Sequence, residues 1–276
     1  MTNRPAFYNE IDPHCASWLR NLIKAGAIPD GVVDERPIQK IDPDELTGFG
    51  QVHLFAGIGG FALGARLAGW PDDLPLWTGG WPCQPWSEAG KRKGNQDERH
   101  LWPEFHRLIE RCRPAVVLGE NVRNYVRLGL DPVLVDLEAS DYAVRPLVVP
   151  AASVGAPILR ERVWICAVAE SGRLGRDRWQ DLPGWNEFDG SKAQRKEGAS
   201  RVAMALQGAS SPWGDAVEMA CPDGNIRHAP AELPALGDGF SGRMDEVCAY
   251  GNAINPWVAA VILEGLLDVL SPDFQP

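Results

Sequence analysis

The sequence predicts an α/β fold, a largely parallel sheet with helices on both faces plus a small loop-rich module, and three observations carry that reading. Apolar runs alternate with amphipathic stretches in the rhythm of βαβ units. An apolar strand at residues 51–55 runs into the glycine-rich turn AGIGG and then a helix at 62–68. From Ser171 to about Gly237 the chain turns polar, Gly-rich and Trp-punctuated, with little periodicity.

Each element follows from its local pattern. Residues 6–11 read as a short strand, and 16–24 as a helix with Trp18, Leu19, Leu22 and Ile23 on one face. A second short strand lies near Val32 and Val33. Residues 75–78 and 115–119 read as buried strands separated by a helix at 100–112, and 163–169 reads as another strand. An amphipathic helix at 256–270 closes the pattern. No internal repeat is visible.

Composition removes several classes. A chain of 276 residues, 45% hydrophobic, has room for a full α/β domain and a small addition. Gly 29 and Pro 23 together stay below the roughly 25–30% share typical of low-complexity chains. No apolar run approaches the roughly 18 residues of a membrane span, and the opening MTNRPAFYNEIDP lacks a basic stretch followed by an apolar one. Membrane and secretory roles are therefore not expected. Six cysteines, Cys15, Cys83, Cys112, Cys166, Cys221 and Cys248, occur without CxxC or close CxH spacing. A disulfide framework and a metal site are not expected, and the compartment reads as reducing, hence cytoplasmic.

The net charge of −10 argues against a nucleic-acid partner, but its distribution softens that vote. Lys91, Arg92 and Lys93 stand together, and Arg160, Arg162, Arg173, Arg176 and Arg178 fall within one short stretch. Either cluster reads as a solvated face or as a polyanion contact.

Three segments carry chemistry. The turn FAGIGG at 55–60, after a strand and before a helix, suits a nucleotide-like cofactor, though a plain tight turn reads the same way. In GGWPCQPWS at 79–87, Pro82 and Pro85 stiffen the loop that presents Cys83, either a nucleophile or a small core residue. At 117–122, VLGENV ends an apolar strand with Glu120, a charge that needs a partner or a task there.

Together FAGIGG, PCQPWS at 82–87 and ENV at 120–122 resemble the DNA (cytosine-5) methyltransferase family, in that family's order. RERVW at 160–164 is similar to its RxRV block, and GNAI at 251–254 to its GN motif. The likeness spans residues 50–170 and 248–265. It implies a Rossmann-like sheet binding S-adenosylmethionine as cofactor, with a small target recognition module whose short length predicts a target of roughly two to four base pairs read mainly in the major groove. The implied division is a catalytic domain of residues 1–170 and 245–276 and a recognition domain of 171–244, in which Trp179, Trp185, Trp213, Arg195 and Lys196 read bases or form a small core.

Only 21 residues, 61–81, separate the glycine turn from the PCQ loop. The family's ribose- and adenine-binding strands normally lie there, whereas FYNEIDP at 7–13 and VDER at 33–36 resemble those pieces. The expectation is a permuted chain, with residues 1–50 delivering the pieces first; an unrelated extension is the alternative. The compact, permuted layout resembles phage-encoded members; a restriction-modification partner, a phage modification enzyme and a solitary methylase are all compatible with the sequence.

The resemblance assigns roles residue by residue. Cys83 is the nucleophile that adds to carbon 6 of a flipped-out cytosine, Glu120 the acid at ring nitrogen 3, Arg162 the contact to the carbonyl oxygen, and Arg160 its neighbour on a phosphate. Phe55 packs on adenine, while Gly57, Ile58 and Gly59 line the methionine portion. Glu10, with Ile11, holds the ribose, Asp34 the adenine amine, and Leu101 and Asn252 further edges. Gln84, Ser87, Lys91, Arg92 and Lys93 contact double-stranded DNA. The chain is expected to act as a monomer without an obligate protein partner. His53, Ile158 and Ala253 depart from the usual aspartate, glutamine and serine. The rival readings are a Rossmann oxidoreductase, a methyltransferase-like DNA-binding protein without catalysis, and a member acting on RNA or donating a modified group.

Overall fold

The computed structural model describes residues 5–82, 101–156, 158–169, 216–220, 226–230 and 253–270. Its strands are β1 (Ala6–Asn9), β2 (Gly31–Asp34), β3 (Gln51–Leu54), β4 (Leu76–Gly79), β5 (Val116–Val122), β6 (Tyr142–Pro150), β7 (Glu161–Ala169), β8 (Ala216–Ala220) and β9 (Ile226–Pro230). Its α-helices are α1 (Pro13–Lys24), α2 (Gly60–Leu67), α3 (Trp102–Cys112), α4 (Tyr125–Leu128), α5 (Leu130–Ala139) and α6 (Pro256–Leu270).

Seven strands form one sheet in the order β2-β1-β3-β4-β5-β7-β6. The first five are mutually parallel, and β7 runs antiparallel to both of its neighbours. The front segment thus joins the sheet on the far side of the glycine strand, β3. Its strands end level with β3: Asn9 pairs with both Asp34 and Leu54. β8 and β9, inside the stretch expected to be loop-rich, pair antiparallel as a separate two-stranded sheet.

Alternation along the strands sorts side chains between two helical layers. Phe7, Val52, Leu54, Val117, Val163 and Ile165 pack with Phe105, Leu108 and Ile109 of α3 and Val133 and Leu137 of α5. On the opposite face Leu76, Leu118, Trp164 and Cys166 meet Phe61 and Ala65 of α2 and Ala259, Leu263 and Leu266 of α6. Tyr8, Leu19 and Ile28 continue that layer under β1. No helix among the described residues is long and apolar enough to cross a membrane.

Element ends differ from the sequence expectation for identifiable reasons. α1 starts at Pro13, earlier than expected, because the Asp12 carboxylate caps it by accepting from the Cys15 amide at 2.9 Å. β5 runs on to Val122 because β7 pairs with it along its whole length, which carries Glu120 into the sheet. α5 and β6 carry little sequence signal. Pro132 falls in the first turn of α5, and Pro146 and Pro150 interrupt β6, a pattern tolerated because β6 is an edge strand.

A polar chain crosses the buried centre of β3. Gln51 donates to the Pro71 carbonyl at 3.2 Å and its Oε1 lies 3.1 Å from His53 Nε2, while His53 Nδ1 lies 2.8 Å from Thr78 Oγ1. Tyr8 stacks on the imidazole at 5.1 Å. Burial pushes the His53 pKa down to about 3. Between that value and the ordinary 6.5 the folded state binds fewer protons than the unfolded chain, so stability falls as pH drops below about 6.5. By pH 5 this one group is expected to remove about 2 kcal/mol relative to pH 8. His53→Gln should flatten that acid limb, read as urea midpoints at pH 5 and pH 8; an unchanged limb would assign it to other groups.

Candidate active site

The carboxyl ends of the five parallel strands form one edge, the side on which open α/β sheets bind ligands. Across it, in sheet order, stand Asp34 of β2, Glu10 after β1, the glycine turn after β3, Gly80 and Trp81 after β4, and Glu120 in β5. Strands spaced about 4.8 Å apart place Asp34 and Glu120 four steps, or about 19 Å, from each other.

The turn after β3 needs its glycines. Gly57 and Gly59 have φ of 54° and 86°, and a side chain on Gly59 would press on Leu22 and Leu19. Phe55 also takes a positive φ, 54°, with its ring edge-on to Phe105. Glu10 reaches across to this turn: Oε2 accepts from the Gly57 amide at 2.7 Å and Oε1 from the Asp12 amide at 2.9 Å. Beside it Ile11 exposes 62% of its surface at the mouth of the edge. Leu101 caps the start of α3 and packs on the sheet core. Ile58 is half-buried.

Sequence reasoning passed over Asn9, which is buried at the end of β1. Its amide donates to the carbonyls of Asp34 at 3.1 Å and Arg36 at 2.8 Å, fixing the turn that carries Asp34. A polar residue amid the apolar run AFY, immediately before Glu10, was the available signal.

Glu120 is buried, and its Oε1 accepts from Arg162 Nε at 3.0 Å. The antiparallel register explains the pair. Val122 faces Arg162 and Glu120 faces Trp164, so the two charged residues are diagonal neighbours on one face. The other oxygen, Oε2, faces Gly80, where an added Cβ would stand 3.6 Å away. Desolvation pushes the Glu120 carboxyl up to about 7, outweighing the opposing pull of Arg162 and Arg160. A carboxylic acid retaining its proton near neutrality can donate it to a substrate atom.

Arg160 holds an unusual backbone, φ 29°, and its Nη2 donates to the Ala253 carbonyl at 2.8 Å. Burial lowers its pKa. The residue after Ala253, Ile254, wedges against the cofactor-side turn: a Cβ on Gly60 would lie 2.6 Å from its carbonyl oxygen, and one on Gly80 3.5 Å from its Cδ1. Residues 253–255 therefore touch both the glycine turn and the exit of β4.

That exit is firmly held. Trp81 is buried among Trp102, Phe105 and Tyr125, donates its indole N–H to the Tyr125 hydroxyl at 3.1 Å, and offers its carbonyl to Asn121 Nδ2 at 3.1 Å. Pro82 follows, and Cys83 is the next residue in the chain. Cys83, Gln84, Ser87, Lys91, Arg92, Lys93 and Asn252 lie outside the described residues. Burial pushes the thiols of Cys15 and Cys166 up to about 12, so neither is a thiolate at neutral pH. No cluster of three or more potential metal ligands occurs among the described residues.

Residues 70–210, half of the chain, match the family model described as C-5 cytosine-specific DNA methylase. That span holds Cys83, Glu120, Arg160 and Arg162. It begins after the glycine turn and continues past residue 170, where the first of the two stretches of motif resemblance ends. The chain is 30% identical over 165 residues to the Type II methyltransferase M.AplI of Arthrospira platensis, covering 46% of this chain and 48% of that protein. It is 31% identical over 167 residues to M.HgiCII of Herpetosiphon aurantiacus, covering 45% and 38%. With M.HhaI of Haemophilus parahaemolyticus it shares 28% over 166 residues, covering 46% and 51%. The chain thus spans about half or less of the length of these relatives.

Proposed function

The chain belongs to the C-5 cytosine-specific DNA methylase family, and from that premise we propose that it transfers a methyl group from S-adenosylmethionine to carbon 5 of a flipped-out cytosine in double-stranded DNA, through a transient bond to Cys83. One observation supports this reading above others. A buried carboxyl with a pKa near 7 stands beside the strand exit that leads into Cys83, and an arginine holds it from the far side. General acid chemistry needs such a group, and a sheet core does not.

The donor set fits the cofactor. Its adenosine carries an exocyclic amine and two ribose hydroxyls, and carboxylates at Asp34 and Glu10 are acceptors for both. A positive-φ glycine turn with nothing within 4 Å of a Cβ on Gly57 leaves room for the methionine portion, with Phe55, Ile58, Gly59 and Leu101 beside it; Asn252 is assigned to the same pocket by its GN motif alone. The 19 Å span from Asp34 to Glu120 suits the length from an adenine to a target base. S-adenosylmethionine supplies an electrophilic methyl; the rest falls to the chain.

Carbon 5 of cytosine is too poor a nucleophile to react directly. The Cys83 thiolate adds to carbon 6, and the displaced electron pair is drawn into the ring as Glu120 Oε2 gives its proton to nitrogen 3. Arg162 keeps Oε1 oriented and meets the base's carbonyl oxygen, with Arg160 on the backbone phosphate. Carbon 5 would then be the atom that accepts the methyl S-adenosylmethionine supplies, nitrogen 3 returns its proton to Glu120, and a base removes the carbon 5 proton. The double bond re-forms and expels Cys83. Such attack requires an extruded base, and Gln84, Ser87, Lys91, Arg92 and Lys93 supply contacts to the opened duplex. Residues 1–170 and 245–276 form the catalytic part and 171–244 the recognition module, in a monomer of the bacterial or phage-infected cytoplasm.

Nucleoside mass spectrometry of DNA treated with the protein and S-adenosylmethionine tests the proposal. It predicts 5-methylcytosine within one short sequence context; 5-methylcytosine in RNA alone, or no product, would overturn it.

A further inference from the structure

We propose that Arg36 is a positioning residue that aims the Asp34 carboxylate at the exocyclic amine of the cofactor's adenine; this rests on the cofactor reading above. Asp34 ends β2 as the outermost carboxylate of the ligand-binding edge, and a lone carboxylate there would be free to rotate and solvate. Instead it is gripped on one side. Oδ2 accepts from Arg36 Nε at 2.9 Å and Nη2 at 2.6 Å, and Oδ1 from the Arg36 amide at 2.7 Å. The guanidinium is fixed from behind by Glu45, which accepts from Nη1 at 3.3 Å and from Nη2.

The backbone is equally constrained. Asn9 holds the Asp34 and Arg36 carbonyls, so the carboxylate and its clamp ride on one rigid turn. Glu35, between them, does not compete for Arg36, because it pairs with Arg20 at 2.6 Å. A carboxylate offers about four acceptor positions. Arg36 fills three of them with its amide, Nη2 and an Nε that bridges Oδ1 at 3.2 Å and Oδ2 at 2.9 Å, which leaves one position for an N–H donor. Desolvation would raise the Asp34 pKa, but the hydrogen bonds and charge of Arg36 together outweigh it and the net direction is down, so the acceptor is anionic. An anionic acceptor in a set orientation favours a 6-amino purine over a 6-oxo purine, whose oxygen it repels.

Calorimetric titration with S-adenosylhomocysteine tests this in wild type, Arg36→Ala, Arg36→Lys, Asp34→Ala and the double variant. Arg36→Ala is expected to weaken binding at least about fivefold, with Arg36→Lys intermediate because an ammonium cannot reproduce the fork. Once Asp34 is alanine, removing Arg36 should add less than about twofold, since its effect runs through that carboxylate. The preference for S-adenosylhomocysteine over its inosine counterpart should narrow in Arg36→Ala. Unchanged affinity in Arg36→Ala, or an equal loss in the Asp34→Ala background, would overturn the inference and leave the cofactor reading standing. Absence of binding by wild type would overturn both.

Discussion

Cys83→Ser is expected to lower methyl transfer at least about a thousandfold, the largest effect of any single substitution in this chain. A serine hydroxyl is not ionised near neutrality and adds poorly to carbon 6, so carbon 5 stays unactivated. The substitution changes one atom and leaves Pro82 and Pro85 in place, so affinity for cofactor and DNA should be retained. Initial rates of labelled methyl incorporation at saturating DNA, beside a filter-binding measurement, check both halves. Serine retaining a tenth or more of the rate would remove Cys83 from the chemistry.

Glu120→Gln comes next, with an expected loss of about a hundred- to a thousandfold in kcat. Glutamine can hydrogen-bond to the base but cannot hand a proton to nitrogen 3. The sign of the pH dependence follows from the raised pKa of about 7. The acid form is the active one, so the wild-type rate should fall as pH rises through about 7, and the residual rate of Glu120→Gln should not. Stability moves the same way. The folded state holds this proton more tightly than the unfolded chain, whose pKa is near the ordinary 4.5, so the group's contribution is fully present below 4.5 and is lost as pH rises through 7. An alkaline limb surviving unchanged in Glu120→Gln would point to another ionisation.

Much of this site was legible from sequence because each motif sits where a strand must stop. Glycines at 57 and 59 announce the backbone reversal that their positive φ values realise, and Glu120 announces itself as a charge on an apolar strand, although the strand runs two residues past it. FYNEIDP and VDER read as two short strands, and β1 and β2 form there, β1 against the glycine strand and β2 outside it. What stayed hidden depends on registers and side-chain reach. No spacing in the chain says that Arg162 lies diagonal to Glu120, because β7 must first pair antiparallel along β5. Arg36 looks like one more surface arginine until Glu45, nine residues on, is folded back onto it. β6 escaped because its prolines argue against a strand, and only its edge position makes them harmless. His53 is a departure from the usual aspartate that becomes intelligible as a neutral link between Gln51 and Thr78.

The most direct test of the central claim is to capture the bond between Cys83 and the base. DNA carrying 5-fluorocytosine allows thiolate addition and methyl transfer, but the carbon 5 fluorine cannot leave as a proton does, so the adduct persists. With S-adenosylmethionine present, intact-mass analysis under denaturing conditions should find protein plus oligonucleotide plus one methyl group, with the cross-link mapping to the peptide containing Cys83 and absent from Cys83→Ser. A cross-link on another residue, or efficient methylation of ordinary cytosine with no captured adduct, would contradict the account.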